Sequence, residues 1–252
     1  MISQPTLDDQ NALIRSLAPA RLRRFRAATS GDRAAISLYL LDSQISSHMH
    51  ASVRVIEVAL REHLHRALTA AFDERWYISQ RDLFDEDLCE KIDDVLDDVG
   101  EGAPAGKVVA QLMFGAWTSL LGRGATKEDG TSAKYITTIW EPALIDAFAH
   151  TTVTRKKLRS TAMSLNWARN RISHCEPVVF GFPQPGLGEK GVQVRRSPHL
   201  VLEDARAFAA YLDPELSAWL RRWTEIDQLL ADPLLYSALD HIEKEEAVLL
   251  QR

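Results

Sequence analysis

Positive charge, cysteine, strand-type alternation and long apolar runs are all scarce in this chain, and each scarcity removes a class of protein. The 252 residues carry a formal charge of −5, with 30 Lys and Arg against 35 Asp and Glu. A general polyanion binder leaves a basic footprint over much of its surface, so any nucleic-acid contact here has to come from a local basic element. Cys89 and Cys175 are the only cysteines; two are too few for a disulfide framework and fit a reducing, cytoplasmic setting. No apolar run approaches the ~20 residues that span a bilayer. The opening MISQPTLDD has neither the basic region nor the apolar stretch of a secretory signal. No membrane association is expected. Hydrophobic residues make up 46% and charged residues 26%, which is ordinary for a folded globular chain.

Helical periodicity fills most of what remains, and the expected fold is all-α. Pro19 to Ala28 reads as a short basic helix after a polar start, stopped near Gly31. Asp32 is placed to cap a long segment running to about Phe72, in which Val53, Ile56, Leu60, Leu64 and Leu68 recur at three- and four-residue spacing. The serines between Ser43 and Ser47 are expected to split that segment in two. A turn holding Trp76 leads to an acidic helix near Asp85 to Val99, and Gly100 to Gly106 is a loop. Lys107 to Leu121 reads as one apolar helix, followed by a flexible GRGATKEDGT stretch. Pro142 fits the first turn of a helix through Phe148. Thr154 is placed to cap a helix that ends at His174, closed off by Pro177. PQPGLGEKG has the least ordered composition, VQVRR fits a brief strand, and two or three helices interrupted by Pro214 and Pro233 complete the chain. The expectation is a single domain over 1–252, with its core at about 20–230, appended C-terminal helices and a loop insertion near 181–198.

The local basic element that nucleic-acid binding would require lies between Thr151 and His174. Arg155, Lys156, Lys157, Arg159, Arg169 and Arg171 fall there with no acidic residue among them. At about 100° per residue, Leu158, Thr161, Leu165, Ala168 and Ile172 take one face. Arg155, Arg159, Asn166, Asn170 and Ser173 gather on another, flanked by Arg169 and His174. Arginine's planar fork suits a phosphate, and histidine titrates near neutrality, as proton transfer demands. Arg169 and His174 together have the chemistry to cleave RNA by attack of its 2′-hydroxyl, without metal. The spacing alone carries little: the composition gives roughly 0.7 Arg/His pairs at any one separation by chance. A solvated basic face is the plain alternative.

RNRISHCEP (169–177) resembles the RN-x-x-[AS]-H-x-E-P ending of Abi-like, abortive-infection proteins within the HEPN superfamily. Tyr39-Leu40-Leu41-Asp42 leading to IEVALRE (56–62), then GKVVAQLMFGAWTSLL (106–121) and YITTIWEPALIDAF (135–148), resemble the same family in the same order. The resemblance implies a HEPN-type helical bundle, a homodimer, and a metal-independent endoribonuclease of anti-phage defence or a toxin–antitoxin system. It implies Arg169, Asn170 and His174 as catalytic residues. On the basic face beside them Arg155, Arg159, Arg171 and Ser173 are expected to hold the RNA, and neither cofactor nor metal is expected. RNA is the implied partner, with an antitoxin or a phage-derived activator as a further one. Two departures stand out: Glu62 follows Arg61 where such proteins often place asparagine, and His174-Cys175-Glu176 lacks a His-x-Tyr ending. The rival reading is a non-catalytic HEPN module that binds RNA, a nucleotide or a partner protein. A regulatory interaction protein with a vestigial motif is a third.

Other candidates are weaker. Glu57 and Arg61, one turn apart, read as an ion pair. His48 with His50, and His63 with His65, have the wrong spacing for helical zinc ligands. Cys175 reads as structural beside His174, and Trp117 and Trp140 as core; Trp167, near His174 on the helix, reads as core or as a flank for bound RNA.

Overall fold

A computed structural model describes residues 5–185, 193–241 and 246–249. The chain is mostly helical. Helix α1 (Leu7–Ser16) lies in the segment read as a polar start, closed by a capping box in which Thr6 and Asp9 satisfy each other's backbone N–H. After α2 (Pro19–Ala27), helix α3 (Asp32–Ala71) runs unbroken for 40 residues. The serines do not split it. Leu38, Leu41, Ile45, Met49 and Val53 continue the stripe of Ile56, Leu60, Leu64 and Leu68 at the same spacing, all buried, and that packing outweighs the modest helix preference of serine. Asp32 is the first helical residue and not the cap; its carboxylate takes Arg26 at 2.6 Å.

Helix α4 (Trp76–Ser79) precedes α5 (Glu86–Val99), capped by Asp85. The expected single helix over 107–121 is two, α6 (Ala105–Gln111) and α7 (Phe114–Leu120). Between them the extended backbone of Leu112 and Met113 breaks the register, and Trp117 Nε1 donates to the Leu112 carbonyl at 3.1 Å. The stretch after α7 is also more regular than its composition implies. Arg123 pairs with Tyr135, Ala125 with Ala133 and Lys127 with Thr131 through backbone bonds, around a turn held by the Asp129 carboxylate. Pro142 is inside a π-helical segment, Ile136–Leu144, and not in a first turn. The wider π turn carries the carbonyl that a proline ring would strike in an α-helix out of its way. Helices α8 (Ile145–Ala147) and α9 (Arg155–Ser173) follow. Thr154 caps α9 through the Lys157 N–H at 3.3 Å.

Strands β1 (Phe182–Pro183) and β2 (Gln193–Arg196) pair antiparallel, and the chain continues through α10 (Pro198–Leu212), α11 (Pro214–Arg221), α12 (Glu225–Leu230) and α13 (Pro233–Asp240). The final strand, β3 (Glu246–Leu249), lies parallel to β2 and completes a sheet ordered β1-β2-β3. The least ordered-looking stretch, PQPGLGEKG, lies largely outside the described residues. Among the described residues no helix is long and apolar enough to cross a membrane.

The chain divides into two compact units. The first comprises Met1–Ser52, Trp167–Glu203 and Arg221–Arg252; the second, Val53–Asn166 and Asp204–Leu220. The first unit is centred on Phe25, edge-on to Tyr39 and Phe180 at 5.5 and 5.3 Å between ring centres. The second is centred on Trp76, edge-on to Tyr77, Phe84 and Trp117 at 5.6–5.9 Å, with its indole N–H on His65.

Candidate active site at the end of helix α9

The last turn of α9, in the first unit, is fixed by its own termination. The Glu176 N–H reaches back to the Arg171 carbonyl at 3.0 Å and the Cys175 N–H to that of Ile172 at 2.9 Å. These are the two bonds of a Schellman motif, with Cys175 in the left-handed conformation (φ 52°) that glycine usually takes. Pro177 then prevents any continuation. His174 is therefore the C-cap, at the rim of the helix.

Angular position sorts the residues of this turn. Taking Arg169 as zero, Ser173 lies at about 40°, Asn170 at about 100° and His174 at about 140°, so the four form one contiguous face. Asn170, Ser173 and His174 are exposed, and no hydrogen bond reaches the His174 ring among the described residues. Arg169 is half-buried and engaged with its surroundings. Ala168 and Ile172 are buried on the opposite side.

Arg171, expected to hold RNA, lies off this face. Its Nε donates to the Pro177 carbonyl at 2.7 Å and its Nη1 pairs with Glu176 at 2.5 Å, leaving the side chain 13% exposed. Burial pushes its pKa down to about 10, with Arg195 and Arg24 acting in the same direction and Glu176 and Asp42 opposing. The guanidinium folds inward and fixes the turn after the helix.

Asp42 completes the anchor. Its Oδ1 accepts the Val178 and Val179 N–H groups at 2.6 and 2.9 Å. Burial raises its pKa to about 6 against these two bonds and the nearby Arg171 and Arg21. Two segments quoted for the family resemblance, the one ending in Asp42 and the one ending in Pro177, thus meet through Val178 and Val179, at the start of the turn that follows the motif. Arg21 donates to the Cys175 carbonyl, and Arg24 lies over the Phe180 ring at 4.3 Å. Arg21, Arg24 and Arg195 went unremarked in the sequence because nothing local ties them to residues 169–177.

Arg155 and Arg159 belong to the second unit. Arg155 is half-buried on the carbonyls of Leu121 and Gly122, and Arg159 is exposed beside Gly122.

No protein-family model, curated protein or solved structure matches the chain. The site is therefore weighed on its geometry and chemistry.

The remaining candidates have structural surroundings. The His65 ring accepts the Trp76 indole N–H at 3.0 Å, and the His63 ring bonds the Ala59 carbonyl at 3.1 Å, with burial lowering the His63 pKa. Among the described residues no three His, Cys, Asp or Glu side chains gather as a metal would require. Trp117 is buried and Trp140 stacks on Phe148 at 5.8 Å. Cys175 is exposed and shapes the helix end.

Proposed function

We propose that the protein is a metal-independent endoribonuclease of the HEPN type, acting in the cytoplasm in anti-phage defence or a toxin–antitoxin system. The observation that supports it is the shared face of Arg169, Asn170, Ser173 and His174 on the last turn of α9, with an exposed imidazole whose ring is uncommitted among the described residues. A pure phosphate grip needs only charge; an open imidazole on the same face as an arginine adds a group able to take and return a proton. The resemblance of RNRISHCEP to abortive-infection proteins supplies the biological setting and the idea of an antitoxin or phage-derived activator.

In this reading His174 removes the proton of a ribose 2′-hydroxyl. The freed oxygen attacks the adjacent phosphorus, the bond to the 5′-oxygen of the next nucleotide breaks, and that oxygen takes up a proton. Arg169 steadies the negative charge that develops on the phosphoryl oxygens. Asn170 and Ser173, lying between them, orient the phosphate or the imidazole. Asp42 and Arg171 hold the turn that sets the helix end.

The test is to incubate the purified protein with total RNA, in excess EDTA, and to sequence the new ends. A 2′,3′-cyclic phosphate on one fragment and a 5′-hydroxyl on the other are expected, and RNA carrying 2′-O-methyl at the cleaved position resists. Arg169→Ala and His174→Ala each lower the rate by roughly 10²-fold or more. Activity lost in EDTA and restored by magnesium would place the chemistry in another class. RNA binding without new ends from the wild-type protein would leave the binding-module reading in its place.

A further inference from the structure

In the second unit three arginines crowd around one glycine. Arg155 sends Nη1 to the carbonyls of Leu121 and Gly122, 2.7 Å each. Arg159, one helical turn along α9, lies against the same loop: a Cβ built on Gly122 would sit 3.3 Å from its Nε and 2.8 Å from the Ser119 carbonyl oxygen. The bare glycine is what admits Arg159 so closely. Arg123 is the next residue, and its backbone is fixed by the bond from the Tyr135 N–H to its carbonyl at 3.1 Å.

The charges are unbalanced. Arg26, Arg81 and Arg221 each pair with a carboxylate. Among the described residues, Arg123, Arg155 and Arg159 pair with none. Burial together with the charges of Arg123 and Arg159 holds the Arg155 pKa below the usual arginine range. Capping the end of α7 accounts for Arg155, since its two acceptors are the carbonyls left open there. It does not account for Arg123 and Arg159, both exposed. Like charges held together without a counter-charge raise the energy of the folded protein. An anion seated among them removes that cost, and the guanidinium fork matches the oxygens of a phosphate.

We propose that Arg123, Arg155 and Arg159, gathered around Gly122, form a phosphate subsite that grips the backbone of single-stranded RNA. The choice of RNA as the source of the phosphate rests on the ribonuclease reading; the subsite itself rests on the arginines. It adds Arg123, a residue outside α9.

The experiment uses the full chain and a fluorescent 2′-O-methyl oligoribonucleotide, which binds but is not cut, titrated over a range of KCl concentrations. Arg123→Gln and Arg159→Gln should each weaken binding by about 5- to 10-fold and flatten the slope of log affinity against log salt by about 0.7, the loss of one phosphate contact. Arg123→Lys, which keeps the charge, should retain the slope. At low salt the melting temperatures of the glutamine variants should stay level or rise, because like-charge repulsion is relieved. Unchanged affinity in both glutamine variants, or a fall in melting temperature with affinity kept, would make the arginines structural and end the proposal. Binding of tripolyphosphate by the wild-type protein without any binding of RNA would likewise overturn the RNA assignment. Cleavage of ordinary RNA is scored separately. Cutting that persists with unaltered binding in the variants sinks the subsite alone, whereas binding lost in the variants with no cutting by the wild type sinks the ribonuclease reading alone.

Discussion

Cys175 occupies a position where its side chain costs stability. It is the one non-glycine residue with positive φ among those described, at 52°, and it serves as the left-handed residue that ends α9. A Cβ there raises the energy by up to ~1 kcal/mol relative to glycine. Cys175→Gly should therefore raise stability by about 0.5–1 kcal/mol, or roughly 1–4 °C in melting temperature for a chain of this size. Cleavage should survive it, because in the proposed mechanism the thiol touches nothing that reacts. A cysteine variant that is stable but inactive would show that the nucleophile had been misassigned. Arg169 and Arg171, two positions apart, have different surroundings. Arg169 lies on the face it shares with Asn170, Ser173 and His174, and Arg171 is tied to Pro177 and Glu176. Their spacing in the sequence is equally suited to phosphate. Only the direction of the backbone after residue 174 decides between them.

Asp42, on α3, controls how that backbone leaves α9. Its carboxyl proton is held more tightly in the folded protein, at about 6, than in an unfolded chain, at ~3.9. Its contribution to stability is therefore full below about pH 4 and is lost as pH rises through about 6, by roughly 2–3 kcal/mol. Asp42→Asn keeps an oxygen for the Val178 and Val179 N–H groups and removes the titration. Urea unfolding across this pH range should give a flatter profile for the asparagine variant than for the parent. Asp42→Ala instead strands two buried donors and should lie about 2–4 kcal/mol below the asparagine variant at every pH. Identical profiles for the two variants would show that the carboxylate does not hold the segment. The long stripe of α3 and the cap and stop of α9 were legible in the sequence because they are local patterns. The pairing of β3 with β2 depends on a distant partner, which spacing along the chain does not reveal. The π-helical placement of Pro142 and the break at Leu112 are changes of backbone geometry that apolar spacing does not register. Arg123, unlike Arg155 and Arg159, escaped notice: it lies in a stretch whose glycines read as flexible, and its regular pairing with Tyr135 appears only in the fold.

At the scale of the whole molecule, the proposed chemistry asks for more than one chain. His174 lies about 140° around the helix from Arg169 and about 7.5 Å along it, so the two side chains of one chain diverge. A second copy related by a two-fold axis would bring the arginine of one chain to the imidazole of the other, at two equivalent sites per dimer. Light scattering should accordingly give about twice the chain mass of 28.3 kDa. The sharper measurement mixes two inactive variants, Arg169→Ala and His174→Ala, under conditions that let subunits exchange. If each cutting site takes arginine from one copy and histidine from the other, a mixed dimer carries one complete site and one empty one. Random mixing then restores about a quarter of the wild-type rate, since half the dimers are mixed and each has half its sites. If each chain supplies its own pair, mixing restores nothing. A strict monomer that still cleaves RNA would overturn the shared site altogether, and Asn170 or Ser173 would then be the first residues to examine for the second proton transfer.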